Sequence, residues 1–223
     1  MSFHERLTSA TAAAREQFLA IPLIQNAPRY GAPKSLYVAF LAEAYHHVKH
    51  TFPLLALAAS RTTDERYQDA LVEYMEEERG HEKWILDDIK AMGGDAEAVH
   101  NGQPGAACRV MVAFAYHAIE HVSPYAMLGS VHVLEGISVL LADQLAATLR
   151  QSFAVEGGGA GFSYLTSHGS LDQEHVAFFR KVVDGIEDPL TQAIIIDHSK
   201  MFYRLYGDIF RDLGARPELS HAA

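Results

Sequence analysis

With 223 residues, 49% of them hydrophobic and 21% charged, the chain has material for one sizeable core, and a composition that does not change along its length predicts a single domain over 1–223. A formal charge of −10 argues against a nucleic-acid partner, and the single cysteine, Cys108, excludes an internal disulfide framework and suits a reducing, cytoplasmic compartment. The N-terminus has no signal-peptide pattern, and no apolar run is expected to reach the ~20 residues of a membrane span.

Strand-like alternation is almost absent, whereas helix-period patterns follow one another, so the chain is predicted to be all-α. A first helix over 4–20 ends at the Pro- and Gly-punctuated segment 21–33. A second, over 34–60, carries Tyr45, His46, His47 and His50 and should kink at Pro53. Thr62-Thr63-Asp64-Glu65 has capping-box spacing and opens a third helix that runs to Met92 and stops at Gly93-Gly94. After a polar loop around 101–105, a fourth helix covers 106–122, and Ser123-Pro124 separates it from a fifth reaching Phe153. The glycine-rich run 157–161 connects to a sixth helix over 162–185. Asp188-Pro189 places an N-cap before a first-turn proline, so a seventh runs to Leu213, with 214–223 as a frayed tail. The economical reading is one bundle of about seven helices.

Thirteen histidines are many for this length. His4, His100 and His221 are expected at the surface and inert. In the sixth helix His168, Asp172 and His175 fall within about 60° of arc, on the face that also carries Tyr164, Leu171, Phe179, Val182 and Ile186. Two imidazoles and a carboxylate on a buried face need partners, and a metal site supplies them. In the third helix, Glu78 and His81 share the acid-x-x-His spacing of carboxylate-bridged sites. Leu71, Tyr74, His81, Ile85, Ile89 and Met92 fall within about 60° of Glu78, while Glu77 lies about 100° away and Glu76 about 160°. Glu78 is therefore the expected inward acid, with Glu82 its one rival. In the fifth helix Glu135 interrupts a stripe of apolar and small residues with no cation nearby in sequence. Three carboxylates and three neutral imidazoles would bring −3 to two divalent ions, and this oxygen-rich set without thiolate suits iron or manganese better than structural zinc. Each feature alone has an ordinary explanation as a core or surface residue. Three helices burying ionisable groups for unrelated reasons is the less economical account.

At these residues the sequence resembles the haem-oxygenase-like di-iron oxidases and oxygenases, relatives of TenA-type thiaminase II and of pyrroloquinoline-quinone synthase. The likeness runs from Phe18-Leu19-Ala20-Ile21-Pro22 through Tyr45-His46-His47 to the sixth helix. Its most specific part is His-x3-Asp-x2-His, present as His168, Asp172 and His175, and the family's other ligands match Glu78, His81 and Glu135. Where some members carry the first acid seven residues before the histidine, this chain has Tyr74. The resemblance implies a haem-oxygenase-like bundle, two iron ions with manganese as the substitute, O2 as co-substrate and no haem. It implies oxidation of a small amine, amino acid or fatty-acid-like substrate, by N-oxygenation or oxidative C–C cleavage. An external reductant and a homodimer are compatible with it, and neither nucleic acid nor membrane is an expected partner. Tyr45, His47, Tyr74, His117 and His121 are expected to line the substrate space. The alternatives are a metal-free TenA-type hydrolase using Cys108, a cofactorless quinone-synthase-like oxidase using pocket histidines, and a non-catalytic ligand-binding protein.

Overall fold

The computed structural model describes the backbone of residues 1–154 and 160–220, and their side chains except those of 168–175 and 220. The described residues form twelve helices and one final turn, Pro217–Ser220, and no strand. The count exceeds the expected seven because local breakers split the long helices. The first becomes α1 (Phe3–Ala10) and α2 (Ala12–Leu19), and the punctuated segment after it is itself a helix, α3 (Pro22–Tyr30), with Pro22 in its first turn where no N–H is needed. The second becomes α4 (Lys34–Val48) and α5 (Thr51–Arg61). Pro53 has no N–H to reach the Lys49 carbonyl four residues back, and the break falls at Lys49-His50.

The third becomes α6 (Glu65–Glu78) and α7 (His81–Ala91), parted by Arg79 in an extended conformation and Gly80 at φ +94°. Asp64 caps α6, accepting from the N–H groups of Arg66 and Tyr67. A short α8 (Ala96–Asn101) precedes the expected loop. The remaining helices follow the sequence closely: α9 (Ala106–His121), α10 (Ala126–Ser152), α11 (Ser163–Asp184) and α12 (Pro189–Gly214). Asp188 caps α12 by accepting from Thr191 N at 2.8 Å.

Against expectation, α10 is long and apolar enough to cross a membrane by length and composition alone. More than half of its most apolar window, 56%, is buried among other helices, which accounts for that composition in a core element. It packs on α11, α12, α3 and α9 and runs through two apolar clusters. Met127, Leu128, Val131, Val133 and Ile137 join a large core with α1, α2, α5, α6, α9 and α12. Ala142, Ala146 and Leu149 join a smaller one with α4, α7 and the start of α11. Glu135 lies on the stretch of α10 just before the change from one core to the other.

A buried acidic cavity at the seam of two cores

A cavity of about 140 Å³ opens at this seam. Leu54, Leu55, Met111 and Phe202 of the larger core form one part of its wall, and Val48, Ala142 and Leu165 of the smaller core another. Into this apolar lining project His47 from α4, Tyr74 and Glu78 from α6, Ser130 and Glu135 from α10, and Tyr164 from α11. Tyr74 is 2% exposed, and its hydroxyl is buried with no hydrogen-bond partner among the described residues. Burial, followed by the negative charges of Glu135, Glu77 and Glu78, raises the Tyr74 pKa far above the usual phenol range and keeps the phenol protonated. Burial and then Tyr206 and Glu78 act on Tyr164 in the same direction.

The break at Gly80 changes how Glu78 and His81 meet. They do not share one continuous helix, yet His81 Nδ1 lies 3.1 Å from Glu78 Oε2 across the turn, and the His81 ring stacks on Trp84 at 4.3 Å. His81 is buried behind the carboxylate, and Glu78 is the one of the two that reaches the cavity. Glu77 and Glu78 both lie on the unbroken α6, three and four residues after Tyr74, so they flank that phenol on either side, and of the two it is Glu78 that lines the cavity. Glu77 sits at the last turn of α6, one of its carboxylate oxygens is buried, and its charge acts on Tyr74 more strongly than that of Glu78. The acids facing Tyr74 are therefore Glu135, Glu77 and Glu78. Among the described residues, no three His, Cys, Asp or Glu side chains converge to hold a metal ion. His168, Asp172 and His175 lie on α11 with side chains outside the described residues.

Of the residues expected along the substrate space, His47 and Tyr74 line the cavity, whereas Tyr45, His117 and His121 do not. Tyr45 turns toward α8, where its hydroxyl meets Nδ1 of the exposed His100 at 2.7 Å. His117 and His121 are exposed and lie against each other because α9 buries Cys108, Met111, Ala115, Ala118 and Ile119, leaving the opposite face to solvent. Neighbouring Glu120 pairs with Arg61 at 2.5 Å on that outer face. Cys108 is fully buried, and burial and the Glu43 charge push its thiol up to about 12, which disfavours the thiolate needed for nucleophilic attack. Of the remaining histidines of the second helix pattern, His46 and His50 face a different groove, and His132 of α10 bonds Thr11.

Two features were not anticipated from sequence. Asp88 of α7, 2% exposed, accepts from Ser163 N (3.0 Å), Ser163 Oγ (2.7 Å) and Tyr164 N (2.8 Å), and so caps the start of α11 from another helix. Ser130 Oγ lies 2.9 Å from His198 Nε2 on α12. A polar residue within the apolar stripe of α7 or α12 was the available signal for Asp88 and His198.

An all-helical bundle enclosing an acidic, otherwise apolar chamber is the class that fold and cavity define. The sequence matches the model of an iron-containing redox enzyme family over residues 38–207, and the chain belongs to that family. Among solved structures, a protein of unknown function with a heme oxygenase-like fold from Shewanella denitrificans superposes with a TM-score of 0.84 at 21% identity, covering 94% of this chain and 91% of its own. A TenA homolog from Pseudomonas syringae pv. tomato gives 0.79 at 12% identity over 96% and 93% of the two chains. Heme oxygenase-1 from the cyanobacterium Synechocystis, in complex with heme, gives 0.74 at 12% over 96% and 92%. The fold is thus haem-oxygenase-like. No curated protein matches the sequence.

Proposed function

We propose that the chain is an O2-activating, non-haem di-iron oxidase or oxygenase acting on a small, largely apolar substrate such as an amine, amino acid or fatty-acid-like molecule. The observation that carries this reading is the environment of Tyr74: a buried hydroxyl without a partner among the described residues, facing the charges of Glu135, Glu77 and Glu78 at the wall of an apolar cavity. Three half-buried carboxylates gathered around one phenol suit a cation, and membership of an iron-containing redox family supplies the class of cation. The donors fit hard, oxygen-preferring metals. Glu78, His81 and Glu135, with His168, Asp172 and His175 from the sequence pattern, would hold two ferrous ions, and Glu77 joins them as a candidate. Bound there, the ions would supply electrons for the reduction of O2.

The chain's own residues do the rest. The carboxylate of Glu78 contacts His81 Nδ1, which fixes the imidazole orientation and the nitrogen left for a ligand, as carboxylate–histidine pairs do beside metals. Tyr74 holds its proton and offers a hydrogen bond to any oxygen placed between it and the acids. The largely apolar wall lowers the polarity around the acids. At about 140 Å³ the chamber is far below the roughly 300–1,000 Å³ of drug-sized sites, which supports a small substrate over a haem macrocycle.

Anaerobic titration with ferrous iron, followed by measurement of oxygen uptake, tests the reading: about two ions per chain and iron-dependent O2 consumption are expected. Glu78→Gln and Glu77→Gln should both weaken iron binding, because both carboxylates face Tyr74. An iron stoichiometry of zero would defeat the proposal, and loss confined to Glu78→Gln would remove Glu77 from the set.

A further inference from the structure

Ser130 of α10 and His198 of α12 are 2% and 3% exposed, and they meet where the two helices come unusually close. Gly129 makes that approach possible. A Cβ there would lie 2.8 Å from His198 Cδ2 and 3.0 Å from the Ile195 carbonyl oxygen, closer than a side chain tolerates. Phe114 and Phe202 stack against the imidazole at 4.9 and 5.6 Å, tilted by 15° and 23°, and fix its plane. Burial holds the His198 pKa down to about 4, so the ring is neutral near pH 7 and carries one proton.

Nδ1 of His198 is buried with no hydrogen-bond partner among the described residues. A buried N–H without an acceptor is rarer than a buried lone pair without a donor, so the ring proton belongs on Nε2 and is donated to Ser130 Oγ. The hydroxyl proton of Ser130 is then left over. Other helical serines return that proton to the carbonyl four residues back, as Ser152 does to Thr148 (2.9 Å) and Ser199 to Ile195 (2.7 Å). Among the described residues Ser130 has only its bond to His198, and it lines the cavity.

We propose that the Ser130 hydroxyl, oriented by His198, is a hydrogen-bond donor to the substrate, and that the cavity therefore selects a small, chiefly apolar molecule carrying a carbonyl oxygen. Ser130 is the binding residue and His198 positions it. The inference rests on the cavity being the substrate chamber and not on any metal, so its test uses metal-free protein and stands whatever the iron titration returns.

The probes are pentan-2-one, labelled with ¹³C at the carbonyl, and 2-methylpent-1-ene, which replaces C=O by C=CH2 at nearly constant shape. In the full-length protein the bound carbonyl resonance should move downfield of its position in an alkane solvent. A bound ketone with an alkane-like shift, or one that does not bind, overturns the proposal without any variant. In Ser130→Ala the ketone-to-alkene ratio of dissociation constants should rise about three- to tenfold, the value of one neutral hydrogen bond. Ser130→Thr, which keeps the hydroxyl, should restore the ratio. An unchanged ratio in Ser130→Ala overturns the proposal. Nitrogen-15 shifts of His198 should show the proton on Nε2 in the wild type, and a proton on Nδ1 overturns the donor assignment.

Discussion

Tyr74 shows how a single side chain can be unfavourable in the folded protein and still be retained. Its ring packs against Phe178 at 5.1 Å and is fully within the core, but its hydroxyl has given up water without gaining a partner among the described residues. A buried unsatisfied hydroxyl costs about 1–3 kcal/mol, so Tyr74→Phe should stabilise the metal-free protein by about 1 kcal/mol, measured by chemical denaturation. A loss of stability in that variant would mean that the hydroxyl already has a bond. Two buried histidines give the residue scale a pH dependence. His132 is lowered to about 4 by burial first and then by His4 and Arg15, and His198 to about 4 by burial alone. Unfolded, each would titrate near 6.5. Between these values the unfolded chain binds protons that the folded chain does not, so the stability from both rings is complete above about pH 6.5 and is lost as pH falls toward 4. The loss is on the order of 3 kcal/mol for each ring. In His132→Phe, proton uptake on unfolding at pH 5 should fall by about one; no change would place His132 outside the acid transition.

At the scale of elements, Gly80 decides how α6 hands over to α7. Its φ of +94° suits glycine, and a Cβ there would meet nothing within 4 Å, so the cost of Gly80→Ala is one of backbone conformation alone. That variant should destabilise the protein by about 1–2 kcal/mol and weaken iron binding by re-aiming Glu77, Glu78 and His81, whereas Gly80→Asn should recover part of the stability. Iron affinity unchanged in a folded Gly80→Ala would show that the turn does not set the carboxylate geometry. The break was hidden in the sequence because one glycine inside a charged, strongly periodic stretch costs only about 1 kcal/mol against alanine, and periodicity outweighs it. The phase relating His81 to Glu78 assumed an unbroken helix, whereas Glu77 and Glu78 both lie on α6 and keep their separation of about 100°. Where the chain carries its own stop and start chemistry, as at Asp188-Pro189 or Ser123-Pro124, the element boundaries were legible. That Glu78, Glu135, Tyr74 and His47 reach one cavity was legible too, because each interrupts an apolar stripe or lies beside one. His117 and His121 misled, since residue type says nothing about face, and α9 buries the opposite side. The Ser130–His198 pair depends on the close approach at Gly129, which is tertiary and leaves no local signature.

For the whole molecule, the cavity matters because of where it lies. Its walls come from both cores, so whatever binds there ties the α5–α6–α9–α12 side to the α4–α7 side through α10. The start of α11 is already fixed to the smaller core. Asp88 caps it, Tyr37 donates to the Gly161 carbonyl at 2.9 Å, and Phe162 stacks on Tyr37 at 5.4 Å. Farther along α11, Phe179 and Val183 belong to the larger core. His168, Asp172 and His175 fall between these two attachments in sequence, and Glu78 and Glu135 approach from α6 and α10. Ions held by all of them would link three helices and both cores, and a ligand that binds only this arrangement stabilises the folded chain by mass action. At free ferrous iron a hundredfold above its dissociation constant the gain is about 2.7 kcal/mol, which for a chain of this length corresponds to a rise of roughly 5–10 °C in thermal midpoint. Anaerobic calorimetry with and without ferrous iron should show that rise as one cooperative transition. Removing a ligand on any one of the three helices, as in Glu78→Ala, Glu135→Ala or His175→Ala, should abolish most of it. A rise that survives all three substitutions would mean that iron binds elsewhere, and no rise at saturating iron would mean that the two cores are joined by packing alone.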